Sequence, residues 1–251
     1  MTNSVFQSAL LVCLVQAGSA FFCPSANAQN TSELGLGVGA TTYRGEISPH
    51  YRSQNNRPGF TVFYRKDVSV PVTLRGAVTG GFLRADDANV EGANGSAAPL
   101  HAYRQANTKG GVLEASAVLE YNFLDYHYRT DKLHVTPYLF AGLAGFYAST
   151  TTESNNPALG QSFNRDGPTV GFAIPAGVGF KYALSEHINL GLEVGVRKTF
   201  TDEIDHLGEQ DPFLVNPNDQ DWYYYSGVSL SYTFYKIRCP DQYKKNKKLL
   251  K

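Results

Sequence analysis

Six histidines and one acidic cluster are the residues of this 251-residue sequence best suited to catalysis or metal binding. A serine hydrolase needs a nucleophile, a base and a group that orients the base. None of His50, His101, His127, His134, His187 and His206 is followed at the first or second position by Ser, the local pattern expected of a lipid A deacylase. There is no H-E-x-x-H, and no cluster has metal-ligand spacing. Asp202, Glu203, Asp205, His206, Glu209 and Asp211 crowd one segment and could hold a divalent cation, but their spacing matches no defined Ca²⁺ loop. A hydrated loop, or a cap packed on its neighbours, is the plainer reading. Glycine-rich runs such as Gly35-Leu36-Gly37 are followed by no helix and make no phosphate cradle. No catalytic, cofactor-binding or metal-binding residue is therefore assigned, and neither enzymatic activity nor a cofactor is expected.

A second set of charges has a different logic. In INLGLEVGVRKTFTDEIDH the residues Ile188, Leu190, Leu192, Val194 and Val196 alternate with Asn189, Gly191, Glu193, Gly195 and Arg197. Successive residues of a strand point to opposite faces, so one face is aliphatic and the other small or charged. The alternation recurs from Glu33 to Ala40, from Val72 to Thr79, from Leu113 to Phe123 (Val118 excepted), from Thr169 to Tyr182 and from Gly227 to Phe234. Two less regular segments, Gly59 to Lys66 and His134 to Thr150, bring the expected strands to eight. By parity Glu33, Arg65, Arg75, Glu114, Glu120, Lys181, Glu193 and Arg197 share the face of the glycines.

The connections are sorted by length. Asp67 to Val70, Asp125 to Asp131 and Leu184 to Glu186 are short; Arg44 to Arg57, Ala85 to Thr108, Thr151 to Gly167 and Thr201 to Asp221 are long and polar. Outer-membrane barrels have short turns at one end and long loops at the other. Lipid satisfies no backbone group, so a sheet in a bilayer must close on itself. The expected fold is an all-β, eight-stranded antiparallel transmembrane β-barrel of outer-membrane type over residues 29–235, with both termini periplasmic. Its aliphatic face would meet lipid. Tyr43, Phe82, Tyr121, Phe123, Phe200, Trp222, Tyr223, Tyr224, Tyr225, Phe234 and Tyr235 would supply the interfacial girdles.

The eight charges then face a narrow lumen. Four acids and four bases in a barrel barely wide enough for its side chains must be paired. A neutral salt-bridge plug is favoured over an ion or proton pathway. Glu193 and Arg197, four apart on one strand, are expected to be too far apart to pair directly and to find partners on adjacent strands.

The remaining composition agrees with export. The formal net charge is zero, mean hydropathy is −0.28, and no run of about 18 apolar residues follows residue 28. Residues 1–28 read as a signal peptide, with an apolar core from Ser8 to Phe22 and cleavage after Ala26-Asn27-Ala28, although MTNSVFQ lacks the usual Lys or Arg. Cleavage would leave Cys239 alone, either inert or paired with another chain. The tail 236–251 carries seven bases, among them Lys244, Lys245, Lys247 and Lys248, against Asp241 alone. It is either a solvated tail or a contact for anionic lipid or an acidic periplasmic partner. No nucleic-acid partner is expected.

ELGLGVGATTYRGEI (Glu33 to Ile47) resembles the first strand and loop of the PorG-like outer-membrane barrels of Bacteroidota, whose pattern is roughly ELGxxxGxxxYxGDL. TPYLFAGLAGF, IPAGVGFKYALSEHINLGLEVGVRKTFTDEIDH and YYYSGVSLSYTFYKIRCP are similar to their later motifs, in order, over most of the mature chain. Departures are Glu46 for the usual Asp, and Glu203-Ile204 where an aromatic-aliphatic pair is common. The resemblance implies a non-catalytic outer-membrane part of the type IX secretion machinery, associated with a periplasmic ring of a lipoprotein and its partner. It also makes Arg44 to Ile47, Asp202, Asp205 and the basic tail with Cys239 candidate contact or capping positions.

Overall fold

In a computed structural model, the described residues are 30–45, 47, 53–87, 103–124, 134–157, 165–201, 204 and 221–236. Eight strands follow one another: β1 (Asn30–Arg44), β2 (Arg57–Asp67), β3 (Val72–Asp86), β4 (Ala106–Asn122), β5 (Val135–Ser154), β6 (Arg165–Ala183), β7 (Ile188–Thr199) and β8 (Trp222–Lys236). Each pairs antiparallel with the next, and β1 pairs with β8 from Asn30↔Lys236 to Arg44↔Trp222. The sheet is thus a closed barrel with no free edge, the one form in which strands leave no backbone group for solvent to satisfy. The ladder between β5 and β6 skips residues 142–143 and 174–175, where Pro175 has no N–H to give.

The barrel is inside out relative to a water-soluble one. Leu34, Leu36 and Val38 on β1 are 50–70 % exposed, while Glu33 between them and the chain start is 1 % exposed. The same holds around the whole circumference, from Val62 and Val78 to Leu119, Leu143, Val178, Leu192 and Leu230, all exposed. Apolar surface of this extent far exceeds the few hundred Å² a soluble monomer tolerates. Exposed rings edge the wall at both ends: Tyr121, Phe123, Tyr182 and Tyr232 at one, Phe82, Tyr147, Phe172 and Phe200 at the other.

The links differ from the sequence expectation. Four residues separate β2 from β3 and β6 from β7, but twelve separate β4 from β5, against ten between β5 and β6. Length is therefore not cleanly sorted by parity. The cause is strand extension: Thr151 to Ser154 and Arg165 to Gly167 are polar but continue the ladders, as in Thr152↔Arg165. Threonine suits an extended backbone wherever it faces. The tight turns are held locally. Asp67 accepts hydrogen bonds from Thr31 Oγ1 and from Thr73 Oγ1 (2.6 Å), and Leu184 N–H donates to Ile188 O (2.9 Å). The end with these turns is the short-link rim and the opposite end the long-link rim.

Candidate functional site: the charged lumen

Parity brings all eight sequence-selected charges into the lumen, and they join in one chain of ion pairs. Glu120, fully buried on β4, is the hub. It lies 3.0 Å from Arg65 Nε, 3.1 Å from Arg75 Nε and 2.6 Å from Lys181 Nζ. Arg65 also reaches Glu33 at 3.4 Å. Arg75 Nη1 donates to Glu193 across the barrel, and Glu193 lies 3.7 Å from Arg197, whose Nε is 3.3 Å from Glu114.

Two expectations about this set are corrected. Glu193 and Arg197 do meet although four apart on β7, because a long guanidinium side chain in a confined lumen lies along the strand. Their other partners, Arg75 on β3 and Glu114 on β4, are not on adjacent strands but on the opposite wall. The lumen is narrow enough for side chains to span it.

Neutral groups complete the network. Asn122 Oδ1 accepts from Lys181 Nζ (2.9 Å), and Asn189 Nδ2 donates to Glu33 Oε1 (3.2 Å) and Thr233 Oγ1 (2.7 Å). Tyr138 OH donates to Glu193 (3.1 Å) and Tyr223 OH to Glu114 (2.6 Å). Rings also flank the cations: Phe63 lies 4.2 Å from the Arg65 guanidinium, Phe140 4.8 Å from Arg75 and Tyr138 4.7 Å from Lys181 Nζ. The glycines of the lumenal face make room for these groups. A Cβ on Gly195 would stand 2.7 Å from both Arg197 Nη1 and the Phe140 ring.

Sequence reasoning missed the lumenal tyrosines. Tyr43, Tyr223 and Tyr225 were expected in the girdles, but they are only 1–3 % exposed. Their parity matches Glu33 on β1 and Gly227, Ser229 and Ser231 on β8, a signal hidden by the aromatic run WYYY. Val118, the break in the β4 pattern, also points inward and packs with Tyr138 and Phe140.

Beyond Glu114 the lumen changes character toward the long-link rim. Tyr43, Leu83, Val112, Phe146 and Tyr223 form an apolar cluster, closed by Ile47 and Ile204 from two of the links. Asp221 fixes this cap: it accepts from Tyr43 OH and from Ile204 N–H (2.9 Å), while Thr150 Oγ1 donates to Ile204 O (2.5 Å). Beside it Arg104 binds Asp87 through two nitrogens at 2.7 and 2.8 Å, a buried pair in a segment read from sequence only as a polar loop. Arg44 by contrast is exposed, with Nη1 3.3 Å from Tyr224 OH.

A side chain that water cannot touch does not line a water-filled passage. Arg65, Arg75, Glu114, Glu120, Lys181 and Arg197 are 0–5 % exposed. Where Arg75, Glu193, Arg197 and Tyr225 meet, a cavity of about 20 Å³ remains, room for about one water molecule and not for a hydrated ion. Within it Arg197 Nη1 and Tyr225 OH have no hydrogen-bond partner among the described residues. Among the described residues no group of three or more His, Cys, Asp or Glu could hold a metal ion. The acidic segment's Asp202, Glu203, Asp205, His206, Glu209 and Asp211, and the tail residues Cys239, Lys244, Lys245, Lys247 and Lys248, lie outside the described residues, as does the proposed leader.

Solved structures with a similar course include the attachment invasion locus protein Ail of Yersinia pestis, at 12% identity and TM-score 0.44, over 82% of this chain and 100% of that one. Neisserial surface protein A, at 12% and 0.45, is covered over 97% and covers 81% of this chain. A major outer membrane protein of Thermus thermophilus, at 14% and 0.45, is covered over 99% and likewise covers 81%. Likeness at this level carries neither role nor ligand across. No curated protein matches the sequence. A family model does match, over residues 10–241, which include all eight strands: the chain belongs to the family described as a domain of unknown function, DUF6089.

Proposed function

We propose that this protein is a non-catalytic outer-membrane barrel of the type IX protein secretion machinery, with short-link rim and termini in the periplasm, where the tail anchors or contacts a ring complex. The carrying observation is the barrel's polarity: an apolar wall around a lumen filled by its own matched charges. Such a molecule sits in lipid and offers its rims and wall to partners, not a passage. The PorG-like motif order from Glu33 to Pro240 supports the secretion role, and the surplus of positive charge in 236–251 supplies a contact at the termini.

The test is membrane fractionation followed by crosslinking from Cys239 in cells. Recovery in the outer membrane with a ring protein crosslinked is expected. Replacing Lys244, Lys245, Lys247 and Lys248 by Gln, with Cys239 kept, should weaken the crosslink while leaving the barrel in the membrane. An intact secretion phenotype in a strain lacking the gene would contradict the role.

The second reading is a general envelope barrel that stabilises the membrane, and the closed lumen favours it over a channel. Planar-bilayer recordings separate the two, with no steady conductance expected. A lipid-modifying enzyme is a third possibility, for which unchanged lipid A mass spectra with and without the gene are the expected contrary result.

A further inference from the structure

The outward faces of β3 and β4 carry charges that the fold does not use. Arg84 and Lys109 stand directly opposite each other in the β3–β4 ladder. Both point away from the lumen, since the intervening Leu83 and Thr108 are buried. Like charges facing each other across a ladder repel. Among the described residues Arg84 pairs only with Asp86 of its own strand, 3.8 Å away with both side chains partly exposed, a contact worth little. Lys109 forms no ion pair among the described residues. Arg57, the first residue of β2, also lines this open groove of about 690 Å³, with Glu153 the one acid on its wall among the described residues.

The position of this groove matters as much as its charge. One ladder step toward the apolar wall, Phe82 faces Gly111, and the next outward residue on β4 is the exposed Leu113. Arg84 is two residues beyond Phe82, roughly 6–7 Å along the strand. On the reading that the wall lies in a bilayer, that puts Arg84 and Lys109 in the headgroup layer above an aromatic girdle. The floor is open, since a Cβ on Gly111 would meet nothing nearer than Gly81 O at 3.5 Å.

We propose that this groove holds the phosphate of an anionic lipid in the leaflet at the long-link rim, with its acyl chains lying down the wall over Phe82 and Leu113. Guanidinium and ammonium groups bind phosphate through charge-assisted hydrogen bonds, and the repulsion between Arg84 and Lys109 disappears once an anion sits between them.

The test uses the full-length protein in neutral detergent micelles, with bound lipid counted by native mass spectrometry. Dioleoyl phosphatidic acid and dioleoyl phosphatidylcholine are offered at equal concentration. The wild type should retain phosphatidic acid at least tenfold better, and the preference should shrink as salt rises. The double substitution Arg84→Gln with Lys109→Gln should abolish the preference. Arg84→Lys with Lys109→Arg should keep it, and far-UV circular dichroism identifies any variant that has not folded. Retained preference in the folded glutamine variant would overturn the proposal. Displacement of the lipid by an equal concentration of inorganic phosphate would also overturn it, since the site would then be one for the free ion. Insertion into phosphatidylcholine vesicles is scored separately by protease protection, so failure of the membrane reading is distinguished from failure of the site.

Discussion

The two halves of the lumen fill the same narrow space by opposite means. Toward the short-link rim, Glu120 and its three cations exclude water by pairing charge. Toward the long-link rim, Ile47, Ile204, Leu83 and Phe146 exclude it by packing hydrocarbon against hydrocarbon. The two fillings respond differently to loss of a member. An ion-pair network gains little over an apolar core of the same volume, but removing one member strands the others in a poor dielectric. An apolar cap loses only what its missing atoms contributed. Tyr223 belongs to both halves, its ring edge-on to Phe146 and its hydroxyl on Glu114.

The largest loss is expected at the hub. Glu120→Ala would leave Arg65, Arg75 and Lys181 facing one another without their shared carboxylate. It should cost about 3–5 kcal/mol or prevent folding, as read by urea unfolding in detergent. Ile204→Ala at the cap should cost about 2–4 kcal/mol by the same measurement, with the barrel still closed. Equal effects at both ends would remove the distinction. Tyr223→Phe sharpens it, because the ring stays in the cap while Glu114 loses a donor; a loss of about 1–2 kcal/mol is expected. Smallest should be Ile204→Val, at about 0.5–1.5 kcal/mol, the result of trimming one methylene from a packed cap.

How much of this was legible depended on period. A strand's two-residue period carries Glu33, Arg75, Glu114, Glu120, Lys181, Glu193 and Arg197 to one face without any tertiary knowledge. Their pairing across the barrel was not legible, because parity assigns a face and says nothing of which wall a long side chain reaches. Tyr223 and Tyr225 have the lumenal parity, but they stand beside Trp222 and Tyr224, and four aromatics in succession conceal an alternation. Ile47 and Ile204 are single apolar residues among polar ones in links, where no period exists to mark them as buried. The Asp87–Arg104 pair joins residues 17 apart, each just beyond a strand end, where no period marks a side chain as buried.

On the proposed membrane reading the aliphatic face meets acyl chains while the charged face is sealed from water. A spin label at Leu36→Cys, in protein freed of its native cysteines and reconstituted in vesicles, tests it directly. Relaxation by dissolved oxygen should be strong at that position and relaxation by a water-soluble nickel chelate negligible. Strong relaxation by the chelate would place Leu36 in water and contradict the account.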